Sequence, residues 1–288
     1  MVLSVRKAIQ MDSARIHRVQ DAYDPALWVF REKAETKLYH RDEPQPGIFI
    51  AESFNVISRA LDAGYEAETF LVEEERLEEA APLLSRAPGA AVYVCPHSAL
   101  QEITGYPMMR GFLCAMKRKA LPAASDICRG AGRIAILEDV ENPTNVGAIF
   151  RSAAAMFVDA LLLTGSCSDP LYRRAIRVSM GCVFQIPWTV LPKGALPKVL
   201  AELSKEGVLT CALALTDHSV SIGDGRLKNA QRLALVLGNE GYGLTEETIK
   251  ACDLTVKIPM AHGVDSLNVA AASAVAFWET KKRGGEDK

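Results

Sequence analysis

The sequence predicts an α/β protein whose second half contains a parallel sheet covered by helices on both faces. Two observations lead to this fold class. Apolar strands alternate with helical segments along most of the chain, which is the pattern of βαβ units. In the second half the strands are continuously apolar, as in IAILED, ALLLTG and LALVLG, and strands of that kind are buried on both faces of parallel sheets.

The 288 residues are sufficient for two modest domains. Residues 1–46 are charged and irregular, with short aromatic-bearing helices, and we interpret them as an N-terminal extension that packs on a neighbouring element. Residues 47–118 predict a small α/β domain with the strands GIFIAES, TFLVEE and AVYVC. Residues 119–130 are rich in small residues and predict a linker. Residues 131–288 form the second domain.

The elements of the second domain follow from the same patterns. Two helices are expected, one from about Val146 to Phe157 and an alanine-rich one from about Ser266 to Arg283. The predicted strands, in chain order, are IAILED, ALLLTG, VFQIPW, VLTCALAL, LALVLG and LTVKIP.

Composition limits the classes of function. The formal net charge of −2 provides no global field for a nucleic acid, so an RNA partner would have to meet a local basic patch. The seven cysteines include no C-x-x-C pair and the five histidines are scattered, so we expect no structural metal site. Thiols in apolar runs, the absence of a signal-peptide core in MVLSVRKAIQ and the lack of a long apolar run predict a cytoplasmic protein without a membrane segment.

Three predicted strands end in loops that combine glycine with small polar residues, and ligands bind beyond the carboxyl ends of parallel strands. The first loop is NPTNVGAIFR, in which Asn145 precedes a helix and Arg151 follows Gly147 by one turn. Taken singly, Asn145 is better explained as a helix cap, and Arg151 as a solvated or salt-bridged surface arginine.

The second loop, LVLGNEGYGL, places Gly238 and Glu240 between a strand and a helix. Its G-x-x-G-x-G spacing is the reverse of the dinucleotide fingerprint, and it follows a late strand, so a Rossmann site is disfavoured. The third loop is IPMAHGVDSLNVA, which begins at Ile258. There we expect Ser266 to cap the last helix and Asn268 to lie in its first turn.

Together, NPTNVGAIFR, LVLGNEGYGL and IPMAHGVDSLNVA resemble, in order and spacing, the three signature motifs of the SpoU family of RNA ribose 2′-O-methyltransferases, which belongs to the SPOUT superfamily. The resemblance covers about residues 131–283 and departs at Ala270, where the family often has serine. It implies a deep trefoil knot, in which Gly263 and the alanines avoid collisions. Less specifically, residues 47–118 resemble the small substrate-binding domain, similar to a ribosomal-protein fold, that precedes many members.

The same resemblance implies S-adenosylmethionine as cofactor and a homodimer as the active assembly. It also implies site residues, which we group by role. The catalytic set has Arg151 as the catalytic arginine, with the remaining members orienting substrate and loops: Asn145, Glu240, Ser266 and Asn268. The cofactor contacts are Gly238, Ile258 and Leu267, with Leu215 and Thr216 as further candidates.

RNA contact is expected from LYRRAIRVSMG, where Arg173, Arg174 and Arg177 fall in one helical stretch. A solvated helix face explains the same charges. Two other functions remain as alternatives: a non-catalytic RNA-binding or ribosome-assembly protein that retains the fold, and a nucleotide-dependent oxidoreductase, which the glycine order disfavours. The substrate is expected to be structured rRNA or tRNA, with rRNA favoured by analogy.

Overall fold

The structure is a computed structural model that describes residues 15–105 and 111–281. The chain divides into two compact units. The first comprises Met1–Ala120 and Leu171–Phe184, and the second comprises Leu121–Pro170 and Gln185–Lys288. Each unit has its own sheet.

The first unit contains a mixed five-stranded sheet in the order β1-β4-β3-β5-β2. Strand β5 is antiparallel to β2 and β3, whereas β4 is parallel to β1 and β3. Its strands are β1 Ile16–Arg18, β2 Ile48–Glu52, β3 Ala67–Glu73, β4 Ala91–Cys95 and β5 Phe112–Lys117. Its helices are α1 Trp28–Arg31, α2 Glu35–Tyr39, α3 Phe54–Asp62, α4 Leu77–Leu84, α5 His97–Thr104 and, from the later segment, α8 Arg173–Val178.

The N-terminal residues belong to the core of this unit, which differs from the extension that we predicted. Leu27, Phe30 and Leu38 are fully buried in the same apolar cluster as Ile48 and Leu71 of the sheet. Burial of large apolar side chains of this kind stabilises a fold by roughly 1.5–3 kcal/mol each. Residues 15–46 are therefore a structural part of the first unit.

The second unit contains a seven-stranded sheet in the order β10-β12-β9-β11-β6-β7-β8. Every strand pair in it is parallel. Its strands are β6 Arg133–Leu137, β7 Ala160–Thr164, β8 Trp188–Leu191, β9 Leu209–Leu213, β10 Val220–Ser221, β11 Leu233–Leu237 and β12 Leu254–Lys257. Its helices are α6 Ala124–Cys128, α7 Pro143–Ala155, α9 Leu196–Lys205, α10 Gly225–Asn229, α11 Glu246–Ala251 and α12 Val269–Thr280.

Helices cover both faces of this sheet, as the continuous apolar strands predicted. All residues of β6 and β11 are buried. Ile134 and Ile136 share an apolar cluster with Leu200 of α9, while α7 and α12 pack against each other. Arg133 Nε donates to the carbonyl of Thr280 at 2.6 Å, which fixes the end of α12 to the start of β6.

One predicted strand of the second half is wrong, and the predicted linker before it is not irregular throughout. VFQIPW is not one strand, because Met180 and Gly181 adopt positive φ values of 55° and 80° and reverse the chain into a 3₁₀ turn at Cys182–Phe184. Strand β8 begins only at Trp188, after Pro187, which has no amide hydrogen to donate. The predicted linker is also partly ordered, since it contains α6 and the buried Cys128.

None of the seven cysteines, all of which lie in the described residues, forms a disulfide bond. Four of them are buried, as expected for cysteines in apolar runs, and the other three are partly buried. Burial raises the pKa of Cys95, Cys211 and Cys252 to about 12. None of the helices within residues 15–105 and 111–281 is long and apolar enough to cross a membrane.

Candidate functional site

The first glycine-containing loop opens α7 at the carboxyl end of β6. Asn142 is the N-cap, and its side-chain oxygen accepts from the amide of Thr144 at 2.8 Å. Pro143 occupies the first helical position, where a missing amide hydrogen costs nothing. Because Asn142 satisfies the helix end, the side chain of Asn145 is released from capping.

Asn145 instead connects the other two loops. Its side chain is buried, with 8% of the residue exposed. Asn145 Nδ2 donates to Glu240 Oε1 at 2.6 Å, and Asn145 Oδ1 accepts from Asn268 Nδ2 at 3.2 Å. One side chain from each of the three sequence motifs therefore joins a single hydrogen-bonded network, and the network fixes which way the Asn145 amide faces.

The second loop is closed on itself and leaves no room at its first glycine. The backbones of Asn239 and Gly243 exchange two hydrogen bonds, at 3.0 and 3.1 Å. A Cβ at Gly238 would lie 2.4 Å from the carbonyl carbon of Gly243 and 2.5 Å from its oxygen. Only glycine fits at position 238 without displacing backbone.

Side chains that we did not predict anchor this loop to β6. Glu138 is buried and accepts from the hydroxyls of Thr245 and Thr248 at 2.9 and 2.6 Å, and from the amide of Thr245 at 3.0 Å. Asn239 Nδ2 donates to the carbonyl of Asp139 at 2.7 Å. The signal for both residues was available, because carboxylates follow β6 directly and Asn239 lies within the glycine motif.

The third loop differs from its prediction in two respects. Asn268, and not Ser266, is the N-cap of α12: its side-chain oxygen accepts from the amide of Ala270 at 3.0 Å. Ser266 is exposed two residues earlier. A Cβ at Gly263 would meet nothing within 4 Å, so avoidance of a collision does not explain this glycine. Its φ of 70° does.

The ends of β9, β11 and β12 enclose a cavity of about 610 Å³, a size typical of small-molecule sites. Gly238, Glu240, Ser266 and Asn268 line it. Three apolar side chains predicted for cofactor contact complete the wall: Leu215, which is 60% exposed, Leu267, which is 39% exposed, and Ile258.

Thr216 is not among the residues that line this cavity. Its hydroxyl and the hydroxyl of Ser219 lie 2.9 Å apart, and its amide donates to the same oxygen at 2.8 Å. It therefore supports the turn after β9.

The cavity suits a ligand that has both an apolar ring and polar groups. The exposed side chains of Leu215 and Leu267 give the cavity an apolar side, and the glycine-rich second loop lines it with backbone that no large side chain covers. Within the described part of the chain, His, Cys, Asp and Glu side chains form no group of three suited to a metal ion. The residues present thus fit an organic cofactor such as a nucleoside derivative.

Arg151 is exposed on α7, the helix that carries Asn145. Among residues 15–105 and 111–281, its guanidinium makes no hydrogen bond or ion pair. A guanidinium stays protonated at any physiological pH, so Arg151 presents a full positive charge to solvent.

The three arginines expected to bind RNA have different surroundings on α8. The Arg173 guanidinium donates to the carbonyls of Val29, Phe30 and Glu32, at 3.2, 3.0 and 3.3 Å. Arg174 and Arg177 are exposed, and Arg177 lies 4.0 Å from the carboxylate of Glu52. The described contacts of Arg173 therefore hold the N-terminal segment of the first unit, whereas the other two face solvent.

Tyr242 also lines the cavity, and sequence reasoning gave it no role. Its hydroxyl donates to Asp139 Oδ2 at 3.1 Å. The pKa of Tyr242 is raised, mainly by partial desolvation and secondly by this hydrogen bond. The phenol is therefore neutral at physiological pH. Asp139 has a φ of 55°, a conformation that aspartate tolerates better than most residues.

Fold and site together define an α/β protein with a cofactor-sized cavity made by glycine-containing loops at the carboxyl ends of parallel strands. Comparison with known proteins gives the family. The model of the SpoU rRNA methylase family matches residues 132–278. The chain belongs to this family.

Relatives extend the similarity over nearly the whole chain. An uncharacterised tRNA/rRNA methyltransferase of Mycobacterium bovis is 33% identical over 282 residues, which are 97% of this chain and 96% of that protein. The 23S rRNA (guanosine(2553)-2′-O)-methyltransferase RlmP of Bacillus subtilis is 25% identical, with 94% and 99% covered. The crystal structure of an AdoMet-bound rRNA methyltransferase from Sinorhizobium meliloti has a TM-score of 0.78 at 27% identity, covering 92% of this chain and 97% of that one.

Proposed function

We propose that this protein transfers a methyl group from S-adenosylmethionine to a ribose 2′-hydroxyl of structured RNA, with rRNA favoured over tRNA. The observation that carries the proposal is the Asn268–Asn145–Glu240 network, which joins all three family motifs at the cavity. The 2′-O specificity of the Bacillus subtilis relative supports the choice of ribose.

The cofactor would lie in the cavity between the ends of β9, β11 and β12. S-adenosylmethionine supplies an activated methyl group on sulfonium sulfur. Leu215, Ile258 and Leu267 would cover its adenine ring, and the backbone at Gly238 would approach it closely because that residue has no side chain. Thr216 would act indirectly, through the turn it shares with Ser219.

We assign Arg151 to the substrate. A guanidinium gives up its proton too reluctantly to act as a good general base. Its role would be to hold an RNA phosphate and to stabilise the negative charge that develops on the 2′-oxygen. Asn145 would hold the side chains of Glu240 and Asn268 in position through its two hydrogen bonds. The exposed Ser266 hydroxyl would orient the ribose.

RNA would also contact the first unit. Arg174 and Arg177 present positive charge to solvent on α8, and phosphate contacts of this kind are sequence-independent and weaken with salt. Arg173 would contribute by holding the N-terminal segment in place. We further propose that the first unit, which contains residues 47–118, is a substrate-binding domain similar to a ribosomal-protein fold. Charge reversal at Arg174 and Arg177 should weaken RNA binding and reduce its salt dependence; affinity unchanged at low salt would refute the assignment.

We propose that two copies of the chain associate through α12. Ala271, Val275 and Trp278 are exposed on one face of that helix, and Trp278 is 58% exposed, which is unusual for a residue of its size. Sedimentation should show a dimer that Trp278→Glu dissociates; a wild-type monomer at all concentrations would reject this assembly.

We also propose the trefoil knot that the family resemblance implies. Its support is that β12, late in the chain, inserts between β9 and β10, after which α12 returns to pack on α7. An experimental backbone trace that becomes straight when its ends are pulled apart would refute it. The buried thiols of Cys95, Cys114, Cys128 and Cys211, which form no disulfides, support the cytoplasm as the location.

The test of the proposed function uses wild type and Arg151→Ala. Methyl transfer from labelled S-adenosylmethionine to RNA from cells lacking the protein should be abolished in Arg151→Ala, with binding of S-adenosylhomocysteine nearly unchanged. A wild-type protein that binds RNA without transferring methyl would favour the non-catalytic RNA-binding alternative.

A further inference from the structure

Tyr242 lines the cavity, and most of its surface is left uncovered by the part of the chain that the structure describes. The residue is 61% exposed, and it lines the cavity together with Glu240 and Asn268. A large aromatic side chain in this position leaves apolar surface exposed to water unless a ligand packs on it.

The ring is held in one orientation. The hydroxyl donates to Asp139 Oδ2 at 3.1 Å, and the backbone amide lies 3.4 Å from Asn239 Oδ1. Asp139 is itself fixed, because the Thr164 hydroxyl donates to its other carboxylate oxygen at 2.7 Å. A ring anchored at both ends loses little conformational entropy when a ligand packs on it.

The order of strands shows on which side of the cavity the hydroxyl is anchored. Strand β11 has β9 and then β12 on one side and β6 on the other. Leu215 and Ile258 follow β9 and β12, and they form the apolar wall. Asp139 follows β6, which is the strand that leads into α7 with Asn145 and Arg151. Tyr242 is thus tethered on the Arg151 side, away from the wall proposed for the adenine ring.

We propose that Tyr242 is a stacking platform for a nucleobase of the RNA substrate. This inference rests on the proposed function, since it places the base next to the ribose that is methylated. Aromatic rings stack on the faces of bases that are unpaired or turned out of a helix. The substrate would therefore present an unpaired nucleotide at this loop.

The experiment compares Tyr242→Leu, which keeps an apolar side chain without a π face, with Tyr242→Phe, which keeps the ring and loses the tether to Asp139. Glu202→Gln, on the exposed side of α9, is the control. The readouts are KM and kcat with total RNA from cells lacking the protein, filter-binding affinity for the same RNA, and S-adenosylhomocysteine binding by calorimetry.

Tyr242→Leu should raise the KM for RNA and the filter-binding Kd by about 5- to 150-fold, with S-adenosylhomocysteine binding unchanged. Tyr242→Phe should raise both by a smaller factor. Equal effects of Tyr242→Leu and Tyr242→Phe, or no effect of Tyr242→Leu on KM and Kd, would overturn the inference. Weakened S-adenosylhomocysteine binding would place the ring in the cofactor site and overturn it as well. Failure of the wild type to methylate RNA would refute the proposed function, and the filter-binding arm would still decide the role of Tyr242.

Discussion

Replacement of Asn145 by alanine should impair catalysis more than it impairs the stability of the fold. The substitution removes the hydrogen bond to the Glu240 carboxylate, worth about 1.5–3 kcal/mol, and the one from Asn268, worth about 0.5–1.5 kcal/mol. Glu240 and Asn268 are exposed, so water would replace part of this loss. We expect the free energy of unfolding to fall by about 1–2 kcal/mol and kcat by about 100-fold, because a small misplacement of reacting groups is costly.

The assays are urea denaturation and methyl transfer at saturating cofactor. Asn142→Ala is the matched control, since it removes an amide side chain from the same helix and costs about 0.5–2 kcal/mol as a lost cap, without touching Glu240 or Asn268. Its kcat should stay close to wild type. A double-mutant cycle of Asn145→Ala with Glu240→Ala should show coupling. Strict additivity, or equal loss of kcat in Asn142→Ala, would refute the reasoning.

Three further substitutions test residues that hold the second loop or the N-terminal segment of the first unit in place. Gly238→Ala should abolish S-adenosylhomocysteine binding in calorimetry, because its Cβ would overlap the backbone of Gly243; retained affinity would show that the loop can shift. Glu138→Ala should lower the free energy of unfolding by about 3 kcal/mol or more, since it leaves three donors of the second loop unpaired, and an unchanged urea midpoint would contradict this. Arg173→Ala should lower the free energy of unfolding by about 1–3 kcal/mol with little change in the salt dependence of RNA binding. Unchanged stability with a reduced salt dependence would show that Arg173 contacts RNA.

Sequence alone predicted the second sheet well because its strands are buried on both faces. Continuous apolar runs such as β6 and β11 have no other stable environment in a protein of this composition. Periodicity failed at VFQIPW, where two consecutive positive φ values determine the path of the chain. Only one of those residues is glycine, so the turn had no clear signature in the sequence.

Sequence reasoning also anticipated only part of the candidate site. The resemblance to the family motifs singled out Asn145, Glu240 and Asn268, and the structure joins these three side chains by hydrogen bonds. The hydrogen bonds among them were not predictable, since Asn142 could equally have left the capping of α7 to Asn145. The position of the α12 cap, at Asn268 and not at Ser266, has the same origin: both side chains are good helix caps, and tertiary contacts select one.

If the proposed function is right, the cavity at the ends of β9, β11 and β12 delivers a methyl group to ribose. The nucleoside identity of the product tests this, and it is obtained by digesting RNA that the wild-type protein has labelled with tritiated S-adenosylmethionine. We predict that the label resides in a 2′-O-methylnucleoside, which leaves an alkali-resistant dinucleotide. Label on a nucleobase, or RNA without label, would contradict the account.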